Sequence, residues 1–353
     1  MILKFQPSNV QGKLPRRDAF PILFERVGLE TPPVIHLSND TKTIGSCLRC
    51  PVPPCTFYSA DEMVNDYFTE FPADTSTKVC PTDAVQIDTE RGIPAILSEK
   101  CISCGLCVAR CPVQAIVLTR GGAHVNDSEN DFFRLTGKPV DASVVEAVLR
   151  QYRSTPIRGH VVDAEFAAHV YERIVLIGMQ SHPQFPNLLA RNLMICNGIS
   201  FLIRRLGDTN MRIDSVFDSG DNRLGVAEIE YSDGVILDSP RDLLDDCAVL
   251  HARYGVPLQT IDPLVVSLRF PNKRSEYWQV IQDISQVLKI RIRSITIGAL
   301  LIIMWENRKL SQNIWQQLYA DASAPTIEPA LRELLACEPS NIAAYPGWSR
   351  AAK

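Results

Sequence analysis

The sequence predicts two domains, a small α+β domain followed by a separate α/β domain with a mixed sheet. Three observations lead there. Cysteine motifs occur in two copies between residues 45 and 120. Gly, Asn, Asp and Ser then collect between residues 120 and 160, which reads as a connection. Beyond residue 161 the hydrophobic pattern alternates between helical and strand periods.

Residues 101–111 read CISCGLCVARC and Pro112 follows, which places Cys101, Cys104, Cys107 and Cys111 in the C-x2-C-x2-C-x3-C-P spacing that holds iron–sulfur clusters. A tight loop aims three successive thiolates into one concavity, where they wrap three corners of a cubane. The fourth cysteine ligates a second cluster. Cys111 therefore needs a second triplet, and the first triplet needs a second Cys-Pro. Both are present, as Cys47, Cys50 and Cys55, and then Cys80-Pro81. The copies extend past the cysteines, CPTDAVQID from Cys80 paralleling CPVQAIVLT from Cys111. Crossing the ligands gives one [4Fe-4S] cluster on Cys47, Cys50, Cys55 and Cys111, and a second on Cys101, Cys104, Cys107 and Cys80. Zinc would need only two C-x2-C pairs and would leave the Cys-Pro repeats unexplained.

Residues 45–120 resemble the bacterial dicluster [4Fe-4S] ferredoxins, and the resemblance implies a ferredoxin-like α+β domain over residues 1–120 whose halves exchange their last ligand. Two departures stand out. Four residues, PVPP, separate Cys50 from Cys55 where the family usually has two, and 24 residues separate Cys55 from Cys80 where it has about three. This insertion, residues 56–79, carries Phe57, Tyr58, Tyr67, Phe68 and Phe71 and is expected to form a small helical flap over the first cluster.

The chain has 353 residues, 46% hydrophobic and 22% charged, enough for two domains with a proper core. Committing eight of eleven cysteines as thiolates implies a reducing compartment, with the cytoplasm as default. The N-terminal MILKFQPSNVQGKLPRR lacks the order of a signal peptide. The longest apolar run, residues 295–305, is too short to span a bilayer and reads as a buried strand, so no membrane association is expected. Cys196, Cys247 and Cys337 sit among apolar neighbours and read as buried small hydrophobes.

Residues 121–160 form the expected linker, with a short amphipathic stretch at 142–152. The α/β domain spans 161–310, and 311–353 forms a helical C-terminal extension. A helix starts near Asp163, with Phe166, Val170 and Ile174 on one face, and a second is expected from about 186 to 206. Strands are expected at 211–217, 224–231 and 234–237. The next helix runs from Ser239 and Pro240 to Gly255, with Leu243, Leu244, Cys247, Ala248 and His251 inward. A strand at 264–270, a helix from Ser275 and a strand at 292–305 complete the order. No Gly-rich phosphate loop opens any of these helices, which disfavours a nucleotide fold.

Between Asp208 and Asp246 eleven acids face three arginines, whereas Arg269, Lys273, Arg274, Lys289, Arg291, Arg293, Arg308 and Lys309 dominate the later half. An acidic hairpin beside a basic half suits a metal-dependent enzyme acting on a polyanion. Glu228 and Glu230 share one strand face, and Asp214 on the preceding strand can join them; such carboxylates suit Mg²⁺ or Mn²⁺. Here residues 165–305 resemble the PD-(D/E)xK restriction-endonuclease-like superfamily in element order and in Asp214, Glu228 and Glu230, the last standing where that family has Lys. The resemblance implies Asp214 and Glu228 as metal ligands, all three acids as catalytic, and DNA or RNA as substrate. Alternating Glu is equally the pattern of a solvated sheet face. Two functions therefore stand: metal-assisted phosphodiester cleavage beside a structural or redox-sensing cluster module, or electron transfer in which the C-terminal domain docks a redox partner protein. The first uses more of the chain. The sequence leaves the oligomeric state open.

Overall fold

The computed structural model describes residues 37–38, 47, 53–58, 71–111, 114–119, 121–126, 163–220, 223–232, 234, 236–306, 308–335 and 347–351. Its first unit is built on the repeat. After Cys80 the chain forms β2 (Val85–Asp88), which pairs antiparallel with β3 (Ile93–Ile96). After Cys111 it forms β4 (Ile116–Thr119), which lies parallel to β1 (Leu37–Ser38) and antiparallel to β5 (Gly122–Val125). The parallel sequences VQID and IVLT thus become equivalent strands. Residues 122–125, assigned to the linker by composition, belong to this unit because β5 closes the sheet on β4. Between β3 and β4 lies the four-residue α1 (Leu106–Ala109), fully buried.

In the second unit α2 (Ala164–Arg173) begins where the Asp163 carboxylate accepts from the Phe166 N–H at 2.8 Å, and it buries Phe166, Ala167 and Val170. It widens into a π-turn over Ile174–Gly178 and ends in α3 (Met179–Ser181). The following α4 (Phe185–Cys196) is shorter than the sequence suggested. Gly198 takes a left-handed φ of 87°, which stops the helix and frees Phe201–Ile203 to form β6.

Five strands make the main sheet in the order β10-β9-β8-β7-β6. β6, β7 (Ser215–Gly220) and β8 (Arg223–Glu230) are antiparallel, while β8, β9 (Ile261–Ser267) and β10 (Arg293–Thr296) are parallel. Parallel neighbours need crossovers, supplied by α5 (Ser239–Tyr254) and α6 (Glu276–Leu288). Gly255 at φ 69° ends α5, and the Ser275 hydroxyl caps α6 by accepting from Tyr277 N–H. Every residue of β9 and β10 is buried, as parallel strands covered on both faces require.

Three sequence expectations change here. β7 starts at Ser215, not Met211. Gly234, Ile236 and Leu237 lie in turns before α5 rather than in a strand. The apolar run 295–305 is mostly a helix: β10 ends at Thr296, whose hydroxyl accepts from Ala299 N–H and starts α7 (Ile297–Trp305). That helix is buried all round, so its hydrophobicity carries no period to separate it from a strand. The C-terminal extension contributes α8 (Gln312–Gln317) and α9 (Glu328–Leu335), and Trp348 lies so close on Gly298 that a Cβ there would stand 2.0 Å from the indole.

The two units share one core. Their buried apolar residues form a continuous cluster from Cys55 to Trp348. Residues 71–79, the described end of the insertion, lie along β6: Asp74 N–H donates to Ile203 C=O at 2.8 Å and Arg205 N–H to Pro72 C=O at 2.9 Å. From α4, Asn192 Nδ2 donates to the Lys78 and Val79 carbonyls at 3.1 and 2.8 Å, and the buried Arg191 pairs with Asp74 at 3.3 Å. Residues 71–79 are therefore a strap onto the second unit, and neither they nor residues 56–58 are helical, although a helical flap was expected over 56–79; residues 59–70 lie outside the described residues. Among the described residues no helix is long and apolar enough to cross a membrane.

Candidate iron–sulfur cluster sites

The sequence repeat is repeated in geometry. Ala84 N–H donates to Cys80 Sγ at 3.2 Å, and Ala115 N–H donates to Cys111 Sγ at 3.2 Å, each four residues along. Between them Asp83 and Gln114 hold matching left-handed φ values of 54° and 48°. This conformation is unusual for residues with a Cβ, and it turns the backbone so that the later N–H faces sulfur. Ser103 N–H donates to Cys101 Sγ at 3.4 Å, with Ser103 at φ 58° and Gly105 at φ 87° curling the loop around the same concavity. Donors aimed at sulfur stabilise thiolate and bound cluster alike.

The thiols gather accordingly. Burial pushes the Cys104 thiol well up, against a lowering N–H from Leu106; Cys80, Cys101 and Cys196 as charged neighbours push it further. Cys107 is raised by burial and then by Cys101, Cys104, Cys80 and Cys55. Cys80 thus acts on Cys104 and Cys107 across the repeat. Cys47 N–H donates to Asn126 C=O at 3.1 Å, and Asn126 N–H to Ala115 C=O at 2.8 Å, which fastens Cys47 to the Cys111 segment. Cys55 is buried, and Cys50 lies outside the described residues. Several thiolates crowded in an apolar pocket repel one another unless cations lie between them, and a [4Fe-4S] core supplies those. The donor set fits that group.

Three other side chains serve these loops. Arg110, fully buried, donates Nε–H to Pro54 C=O at 2.7 Å and lies 4.2 Å over the Tyr58 ring. Arg173 donates to the Cys101 and Ser98 carbonyls at 2.6 and 2.5 Å, and Trp305 Nε1–H to the Cys104 carbonyl at 2.8 Å. Sequence reasoning passed over all three, since nothing local marks a partner 72 or 201 residues away. Cys196 and Cys247 are buried, and Cys337 lies outside the described residues.

The carboxylates converge in part. Glu228, on β8, is held well above the usual carboxylate range by burial, then by Asp214, Asp246 and Asp242. Asp246, on α5, is raised by burial and by Asp214, while its bond with Glu228 lowers it. Glu228 thus bonds Asp246, and Asp214 acts on both through its charge. Glu230 instead accepts from Ser232 N–H at 2.8 Å. Asp246 was missed, although the DLLDD run on the predicted helix placed an acid one turn beyond Asp242. Asp214 is paired with Arg204 at 2.5 Å, and among the described residues no three His, Cys, Asp or Glu side chains are grouped to hold a metal ion.

Part of the basic half is engaged within the molecule, while Lys273, Arg274, Lys289 and Arg308 are exposed. Arg293 is buried on Asp262 at 2.6 Å, Arg291 lies 4.4 Å over Tyr319, Arg269 lies 5.9 Å over Tyr171, and Lys309 donates to Cys196 C=O at 2.7 Å.

Residues 77–115 match the 4Fe-4S dicluster domain family. The chain carries a ferredoxin-type dicluster domain, with a mixed sheet and its helices in the C-terminal region. It is 36% identical over 72 residues to an uncharacterized ferredoxin of Methanocaldococcus jannaschii, covering 20% of this chain and 46% of that protein. It is 31% identical over 67 residues to the polyferredoxin-like subunit of an aliphatic sulfonate oxidoreductase of Pyrococcus furiosus, 19% of this chain and 27% of that one. A selenate reductase subunit of Mesobacillus selenatarsenatis is 28% identical over 151 residues, 42% and 41% of the two chains. The chain thus spans less than half the length of these relatives. No solved structure matches significantly.

Proposed function

We propose that the chain is an electron-transfer subunit: two [4Fe-4S] clusters, on Cys47, Cys50, Cys55 and Cys111 and on Cys101, Cys104, Cys107 and Cys80, pass single electrons to or from a redox partner protein. The observation that carries this is the duplicated Cys-Pro-x-x-Ala turn with its matched N–H to sulfur bonds. Bound clusters would supply one-electron exchange; the chain's own residues bury them, aim donors at their sulfurs and, through the C-terminal unit, dock the partner. Two relatives being subunits of redox enzymes supports the reading. A reducing compartment such as the cytoplasm suits eight thiolates. Anaerobic iron analysis is expected to give about eight irons per chain, with electron paramagnetic resonance signals that appear on reduction. Clearly fewer irons, or reduced clusters that pass no electrons to any acceptor, would defeat the reading.

A second reading, a Mg²⁺- or Mn²⁺-dependent nuclease with a restriction-endonuclease-like core, would rest on the mutual electrostatics of Asp214, Glu228 and Asp246. It predicts cleavage of DNA or RNA that disappears in Glu228→Ala. Wild type that cuts nothing with its clusters intact removes it.

A further inference from the structure

Two side chains of the C-terminal unit end on the loop that carries the second triplet, and both meet backbone oxygen rather than sulfur. Arg173, the last residue of α2, donates Nε–H to Cys101 C=O at 2.6 Å and Nη2–H to Ser98 C=O at 2.5 Å. Trp305, the last residue of α7, donates Nε1–H to the buried Cys104 C=O at 2.8 Å. The guanidinium is cationic at any working pH, and its fork fixes two carbonyls of one loop at once. A cluster that accepts an electron gains one negative charge. A cation and polarised donors turned toward its ligand loop therefore stabilise the reduced form more than the oxidised one. No bond to the protein forms or breaks in that step: one electron enters the iron from an external reductant, no proton moves, and Arg173 keeps its charge.

We propose that Arg173 and Trp305 are positioning residues through which the C-terminal unit raises the reduction potential of the cluster on Cys101, Cys104, Cys107 and Cys80, and of that cluster alone. The two clusters then differ in potential, and the C-terminal unit sets the difference. This deepens the electron-transfer reading and rests on it. Arg110, the buried cation near Cys55, belongs to the cluster unit itself and serves the other site.

The test is a dithionite redox titration of the iron-loaded full-length chain, followed by electron paramagnetic resonance, with the two waves assigned by the one that Cys101→Ser alters. In Arg173→Gln that wave is expected at a more negative potential, the other wave staying in place and the iron content unchanged. Arg173→Lys, which keeps the charge and loses the fork, should move it less, and Trp305→Phe should move the same wave in the same direction. If Arg173→Gln loses iron, Arg173→Lys and Trp305→Phe decide. Waves unmoved at full iron content, or both waves moved together, overturn the proposal. Wild type without clusters overturns the electron-transfer reading itself, before any variant is made.

Discussion

The cluster unit and the C-terminal unit solve the problem of a stable core in opposite ways. Among the described residues the first has strands of two to four residues and a four-residue helix, and buried cysteines line its interior. The second has a five-stranded sheet whose inner strands and covering helices are packed with Leu, Ile, Val, Phe and Trp. Elements so short bury too little apolar surface to hold themselves, so ligation has to supply part of the folding free energy of the first unit. Hydrophobic burial supplies that of the second. One region is organised by chemistry and the other by packing, and the interface through Asn192, Arg173 and Trp305 lets the second hold the first.

The largest effect should come from breaking the chemical side. Cys104→Ser is expected to cost one cluster, dropping iron from about eight to about four per chain, while far-ultraviolet circular dichroism of the C-terminal sheet persists. If the whole chain unfolds instead, the two units are one cooperative block. Next comes the packing side: Leu300→Ala, at a fully buried site on α7, should lower stability by about 2–5 kcal/mol in denaturant titration.

A pH-dependent effect separates the carboxylate pocket from both. Glu228 has its folded value raised to about 9 by burial and neighbouring acids, against about 4.3 when unfolded. The folded state then holds more protons than the unfolded one. Stability is full below about pH 4 and is lost as pH rises toward about 9. Glu228→Gln should flatten that decline in melting temperature; an unchanged slope would mean that the pocket does not titrate this way. Least of all, Lys78→Ala removes an exposed ion pair to Asp83 and should change stability by no more than about 0.5 kcal/mol.

The same division explains what the sequence made legible. A dicluster domain announces itself because cysteine spacing is its geometry, and the repeat from Cys80 and from Cys111 was readable from the sequence alone. Helix ends with side-chain caps, at Asp163 and Ser275, were readable for the same local reason. Residues 295–305 were misread because a fully buried helix shows no periodicity, and β6 because one left-handed glycine, Gly198, decided where α4 stopped. At the acidic pocket Asp214 and Glu228 were readable as strand neighbours, but Asp246 joins from a helix and Glu230 turns to its own backbone. Arg173 and Trp305 had no local mark at all.

The strap covers the outer edge of the main sheet. Lying along β6, residues 72–74 occupy hydrogen-bonding groups that an outermost strand would otherwise offer to any other extended chain. The strap hangs between Cys55 and Cys80, so clusters bound there would tether it at both ends. A chain whose strap came away would leave that strand bare to any other extended segment, and the strap therefore bears on whether copies stay apart from one another.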